Sequence, residues 1–255
     1  MALTVDLVPC LSDNYAYLLH DAADGLCAVV DPSEPEPVRR ALAARGLRLT
    51  HILNTHHHFD HTGGNIPLKQ EFGAVIVGPA KDRARIPGID VGVDESAPWQ
   101  FGPHTARILE IPAHTRAHIA FAFEDENIVF TGDTLFAMGC GRLFEGTPQM
   151  MWTSLSKLMR LADDMRVYCG HEYTLSNGRF ALTVEPNNAD LRARMKEVQA
   201  LRAQSQPTIP STLGLEKKTN PFLRPDSPEI RKTLAMEDAD TVAVFGELRR
   251  RKDAF

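Results

Sequence analysis

Residues 54–65 read NTHHHFDHTGGN, which sets His56, His58, Asp60 and His61 within six positions. At this chain's own histidine and aspartate usage such a spacing arises by chance in on the order of one chain per thousand, so it calls for a chemical reason. Imidazole and carboxylate donors this close are metal ligands, and they divide into two pairs, His56 with His58 and Asp60 with His61. Each pair suits one ion. Three more candidates each close an apolar run: His114 ends ILEIPAH, Asp133 ends IVFTGD and His171 ends MRVYCGH. Seven donors without a thiolate suit zinc, iron or manganese in a catalytic site, because structural zinc sites are usually closed and rich in cysteine. Two divalent cations, two carboxylates and a bridging hydroxide sum to about +1, which favours a developing oxyanion. Such ions can lower the pKa of water from about 15.7 to about 7, enough to attack an electrophilic carbonyl at neutral pH. The other histidines read differently. His20, His51, His104 and His118 are expected to be structural, and His57, lying between two ligands, is expected to point away and support its neighbours.

The elements that must position these groups follow from periodicity. Runs LTVDLVP, YAYLLHD, LCAVVDP, LTHILNT, GAVIVGP, TARILEIPA, HIAFAFEDE, NIVFTGD and DMRVYCG predict strands, with EDEN as a hairpin turn. Between the third and fourth, Ser33 as N-cap, Pro35, Pro37, the spacing of VRRALAAR and Gly46 as C-cap predict a helix. Thr147 and Pro148 open a second helix, QMMWTSLSKLMRLADD. The strand ends then deliver the polar residues to loops at one sheet edge, with His56 and His58 in a strand-to-helix loop and Asp60 and His61 at the helix entry. The pair Gly63-Gly64 is expected to let the backbone turn closely around the metals. Beyond about residue 174 the texture turns helical, in NADLRARMKEVQALRAQ, SPEIRKTLAMED and DADTVAVFGELRRRKD around a Pro-rich link, with no further strand expected. The expectation is an α/β catalytic domain over residues 1–173 and a helical domain over 174–255.

Composition narrows the partners. The 255 residues are 43% hydrophobic and 24% charged, and no apolar run approaches the roughly 18 needed to span a bilayer. The N-terminus MALTVDLVPCLSDNY carries neither a basic, then apolar leader nor an Arg-rich amphipathic one, so a cytoplasmic location is expected. Cys10, Cys27, Cys140 and Cys169 form no C-x-x-C and are read as reduced thiols. A net charge of −5 offers no global field for nucleic acid.

THHHFDH, PAHT, TGDTLF and CGHEYT together resemble the metallo-β-lactamase superfamily. Within it GCGRLFEGT at 139–147, HEYT at 171–174, TNPFLR at 219–224 and the terminal RRRKD at 249–253 make the whole chain resemble the glyoxalase II, or hydroxyacylglutathione hydrolase, family. That resemblance implies an αββα sandwich followed by helices and a binuclear centre, most simply of zinc, with iron or manganese as alternatives. His56, His58 and His114 would hold one ion and Asp60, His61 and His171 the other, with Asp133 bridging. Asp60 and Asp133, with a metal-bridging hydroxide, would carry catalysis. The implied substrate is an S-(2-hydroxyacyl)glutathione, typically S-D-lactoylglutathione, hydrolysed to glutathione and D-lactate in the second step of methylglyoxal detoxification. A thiol of pKa about 8.5 leaves without a dedicated acid. The same match places Arg142, Phe144, Tyr173, Arg249 and Lys252 at the glutathione, although composition alone would read RRRKD as a solvated helix face. Phe144 replaces a Tyr common in the family, which removes a hydroxyl from the peptide site, and Phe59 stands where Trp is common. The implied partner is this small thioester, with no nucleic acid, no membrane and a monomeric chain. The rivals are a glutathione persulfide dioxygenase with a single iron, a lactonase, phosphodiesterase or β-lactamase on the same core, and a non-catalytic metal-binding protein. The long C-terminal helical region counts against the dioxygenase, the basic terminal helix against the other enzymes, and the hard aspartate donors against the last.

Overall fold

In a computed structural model, which describes residues 3–255, the N-terminal apolar runs pair edge to edge. Strands β1 (Thr4–Cys10), β2 (Asn14–Asp21), β3 (Leu26–Val30), β4 (His51–Leu53), β5 (Val75–Pro79) and β6 (Val91–Val93) lie in that order in one six-stranded sheet. The first three are antiparallel and β3 to β6 are parallel, so the sheet is mixed. Parallel pairing needs crossovers, supplied by α1 (Pro35–Arg45) after β3 and by α2 (Phe59–Thr62) and α3 (Asn65–Phe72) after β4. It also puts the C-terminal ends of β3, β4 and β5 at one edge, where Asp31, the histidine cluster and Asp82 emerge side by side.

Antiparallel strands β7 (Trp99–Phe101), β8 (His104–Glu110), β9 (Ile119–Phe123) and β10 (Ile128–Gly132) form a second layer. The side-chain period of two explains the packing between the layers. On β2, Ala16 and Leu18 face Val38 and Leu42 of α1 and Leu68 of α3, while Tyr17 faces Phe130 of the second sheet at 5.6 Å between ring centroids. A strand buried on both faces needs a continuous apolar run, as YAYLL is.

These elements make one compact unit, comprising residues up to Glu110 and Ala117–Gly132; Ile111–Arg116 and Asp133–Phe255 make another. The second unit contains the hairpin of β11 (Leu135–Phe136) and β12 (Gly139–Cys140), the pair β13 (Arg166–Cys169) and β14 (Ser211–Thr212), and helices α4 (Pro148–Leu158), α5 (Thr174–Val184), α6 (Ala189–Ala203), α7 (Leu213–Thr219), α8 (Pro228–Leu234) and α9 (Thr241–Ala254). Phe245 of α9 stands 6.1 Å from Trp152 of α4 and 5.8 Å from Phe222, a contact whose truncation to alanine would cost about 3–5 kcal/mol. Among the described residues no helix is long and apolar enough to cross a membrane, and all four cysteines are buried free thiols.

Three local expectations need correction. The N-cap of α1 is Glu34, with Ser33 buried one residue earlier. Helix α4 stops at Leu158, short of the predicted Asp164. A strand does return after residue 174, because Ser211 and Thr212 pair with Val167 and Arg166. Gly46 at φ 63° and Thr147, whose hydroxyl accepts from the Met150 amide, cap their helices as predicted.

Candidate metal centre

In the first unit the cluster hangs from the end of β4. The Thr55 amide and hydroxyl both donate to Asp31, at 2.8 and 2.6 Å. His61 Nδ1 donates to the same carboxylate at 3.1 Å, and His56 Nδ1 donates to the Thr55 hydroxyl at 3.0 Å. One buried carboxylate therefore sets the tautomer of two imidazoles and leaves Nε2 of each as the lone-pair nitrogen, the arrangement a metal-binding histidine requires. Asp31 itself adopts φ 47°, a left-handed conformation uncommon for a non-glycine residue. His56 is further clamped by stacking on His118, with centroids 4.6 Å apart and planes 18° apart, while His118 Nδ1 donates to the Ile119 carbonyl.

The donor spacing fits an ion. His56 Nε2 lies 3.1 Å from His58 Nδ1, and two imidazole nitrogens on one tetrahedral zinc at 2.0–2.1 Å stand about 3.3 Å apart. Asp60 Oδ2 lies 3.6 Å from His61 Nε2, and Asn14 holds Asp60 by donating to both its Oδ2 and its carbonyl at 3.1 Å. Asp31, His56 and His61 also offer donor atoms within 4.8 Å of one another, but the Asp31 oxygens already accept three hydrogen bonds, from the Thr55 amide and hydroxyl and from His61 Nδ1. His57 turns elsewhere, with Nδ1 2.9 Å from Asp82 Oδ2. Gly63 and Gly64 have ordinary helical φ values of −61° and −81°. Their lack of a side chain serves close approach to residues 32 and 33, since a Cβ would come within 2.4 Å of the Ser33 oxygen and 2.9 Å of the Pro32 oxygen.

The second unit presents His114, Asp133 and His171, all buried. Asp133 Oδ2 lies 3.4 Å from His114 Nε2 and 3.2 Å from His171 Nε2, so a single oxygen sits within ligand spacing of two imidazoles. His114 Nδ1 donates to the Arg142 carbonyl at 3.0 Å, which again leaves Nε2 as the lone-pair nitrogen. His171 is held by parallel stacking on Tyr173 at 4.7 Å.

The residues expected at glutathione separate into two kinds. Arg142, Phe144 and Tyr173 are exposed. Lys252 is half-buried over the rings of Phe180 and Phe255, 5.9 and 5.2 Å from their centroids, and donates to the Ser176 hydroxyl. Burial, then repulsion from Arg249 and Arg142, lowers its pKa. Arg249 is only 5% exposed: Nη1 donates to the Cys140 carbonyl at 2.7 Å, Nη2 lies 2.9 Å from Asp253, and the guanidinium covers Phe222. Arg250 and Arg251 both pair with Glu247, so RRRKD points in several directions. Sequence reasoning passed over Asp31 and Asn14. LCAVVDP had the same form as the ligand-bearing segments, an apolar strand ending in a carboxylate, and that was the available signal.

Residues 12–171 match the family described as the metallo-beta-lactamase superfamily, and residues 172–255 match hydroxyacylglutathione hydrolase C-terminus. A hydroxyacylglutathione hydrolase of Methylococcus capsulatus is 54% identical over 97% of this chain and 97% of its own. Among solved structures, ETHE1 from Myxococcus xanthus superposes with a TM-score of 0.69 at 23% identity, covering 98% of this chain and 90% of that one. TTHA1623 in a di-iron-bound form gives 0.60 at 26%, covering 85% and 98%. The fold is that of the metallo-β-lactamase superfamily, with the expected mixed α/β body and C-terminal helices. Within that class, the chain belongs to the hydroxyacylglutathione hydrolase family.

Proposed function

We propose that the chain hydrolyses S-(2-hydroxyacyl)glutathione, typically S-D-lactoylglutathione, to glutathione and a 2-hydroxy acid such as D-lactate. The match to a hydroxyacylglutathione hydrolase at 54% identity over nearly the whole length carries the choice of substrate. The donor chemistry supports the reaction class. By motif match His56, His58 and His114 would hold one divalent ion, Asp60, His61 and His171 the other, and Asp133 both; the shared reach of Asp133 Oδ2 supports the bridging role. Zinc, iron and manganese all suit this set. When bound, the two ions supply hydroxide at neutral pH and a positive field for the thioester oxyanion.

The chain's own groups do the rest. Asp31 and the Arg142 carbonyl fix imidazole tautomers, so the ligands need no reorganisation when the ions load. Asp60 and Asp133 offset part of the cationic charge. Arg142, Tyr173 and Lys252 would bind the two glutathione carboxylates and the peptide against an overall charge of −5, Phe144 would pack on the tripeptide, and Arg249 would support them from beneath through Cys140. The thiolate leaves without a protein acid because its pKa is about 8.5. Metal analysis with an ultraviolet assay of lactoylglutathione tests the proposal. The expected outcome is two divalent ions per chain and thioester loss. Full metal loading without turnover overturns it, and oxygen uptake with glutathione persulfide would assign the single-iron alternative.

A further inference from the structure

Between Asp133 and Arg142 the chain forms the short β11–β12 hairpin, whose two-residue strands are too brief to hold their own shape. Its turn contains Met138 at φ 54°, a strained value for a side-chain-bearing residue. Main-chain groups of five successive residues are instead held by side chains from the helical part of the chain. The carbonyls of Phe136 and Gly139 accept from Asn220 Nδ2 at 3.1 and 3.0 Å, and that of Ala137 accepts from Asn177 at 3.1 Å. The Met138 amide donates to Glu216 Oε2 at 2.7 Å, and the Cys140 carbonyl accepts from Arg249.

Glu216 and Asn220 are fully buried. A carboxylate at such a depth is costly unless its oxygens are satisfied, and here the Ser211 hydroxyl and Asn220 Nδ2 join the Met138 amide as donors. Well-packed apolar side chains would stabilise the fold as well or better, so stability alone does not explain a carboxyl group at this depth.

The base of this hairpin touches the donors directly. The Gly141 amide donates to the Thr134 carbonyl, and a Cβ on Gly141 would stand 1.9 Å from the Asp133 carbonyl oxygen. One residue on, the Arg142 carbonyl accepts from His114 Nδ1. We propose that Glu216, acting with Asn220, is a positioning residue: by fixing the Met138 turn it sets Asp133 Oδ2 between Nε2 of His114 and Nε2 of His171. This gives the TNPFLR motif and the end of α7 a task inside the metal centre, and it rests on reading Asp133 as a shared ligand.

The test uses the full chain loaded with zinc, comparing the parent with Glu216→Ala, Glu216→Gln and Asn220→Ala. Zinc affinity is read by competition with a chelator, together with kcat, KM and the melting temperature. Glu216→Ala is expected to weaken one of the two zinc ions by about 10–100-fold and to lower kcat more than it changes KM. Glu216→Gln is expected to restore both, because its amide oxygen can still accept from the Met138 amide while its NH2 donates to the Ser211 hydroxyl. If Glu216→Ala does not fold, Asn220→Ala carries the test, with the same direction expected. Variants that lose melting temperature but keep both zinc ions at parental affinity and parental kcat overturn the proposal, as does a Gln variant as damaged as the Ala variant. A parent chain holding fewer than two zinc ions overturns the shared-ligand reading, and this proposal with it.

Discussion

In the first unit four candidate donors fall within six residues and are oriented by side chains: Asp31 fixes His56 and His61, Asn14 fixes Asp60, and His118 stacks on His56. In the second unit three donors come from three separate turns and are oriented largely by main chain, through the Arg142 carbonyl and a hairpin pinned by residues from later helices. A contiguous cluster needs only a few neighbours at the same sheet edge to aim it. Dispersed donors need their backbone fixed first, and the groups that do this lie far along the sequence. On the proposed reading, the helical part of the chain takes part in ligand geometry as well as in binding substrate.

Removing a donor tests this contrast most severely. Asp133→Ala takes away the oxygen nearest both imidazoles and is expected to lower kcat/KM by at least about 100-fold, beyond the roughly 10–100-fold of a supporting residue, with loss of an ion by metal analysis. Retention of two ions with full activity would remove Asp133 from the centre. Next comes Asp31→Ala, expected to cost about 10–100-fold in metal affinity or activity, because both imidazoles lose tautomer control. An Asp31 variant with parental chelator resistance would break the claim that the first unit relies on side-chain carboxylates.

At the substrate, Lys252→Ala is expected to raise KM about tenfold, or ~1.4 kcal/mol, with kcat nearly unchanged. Arg249→Ala should lower kcat as well, since Arg249 reaches the hairpin through the Cys140 carbonyl. Identical KM-only effects would place Arg249 at the ligand instead.

The smallest effect concerns His104, at the far end of the first unit. Its Nε2 faces Asp21 at 2.9 Å and its Nδ1 faces Glu126 at 2.5 Å, so both nitrogens are committed to carboxylates. Burial acts to lower its pKa, and the bonds to Asp21 and Glu126 outweigh that and raise it. A raised folded-state pKa stabilises fully below the unfolded value of about 6.5, and the gain is lost as pH rises through the folded value. His104→Gln should thus depress the melting temperature most in mild acid and least in alkali. A deficit independent of pH would show that the imidazolium contributes nothing.

Much of this was legible beforehand. Alternating apolar runs exposed the strands, because burial on a pleated surface demands them, and Thr147 with Pro148 marked a helix start through local bonding alone. The hairpin strands, α5 and α7 were not legible: two-residue strands have no periodicity to read, and TLSNGRFALTV carries a Gly that argues against helix.

The sequence by itself determined the donor chemistry, since side-chain identity and spacing along one loop are local properties that survive without a fold. It also determined the strand-and-helix order that brings polar residues to strand ends. Only the tertiary structure decided which groups aim the donors. Asp31 is 24 residues from Thr55, and Glu216 is 78 from Met138, and no periodicity links such pairs. It likewise separated His57, turned to Asp82, from His56 and His58 beside it, and sent Arg249 inward while Arg250 faces Glu247. Neighbours in sequence share composition, but the backbone path and the packing around each side chain fix its direction.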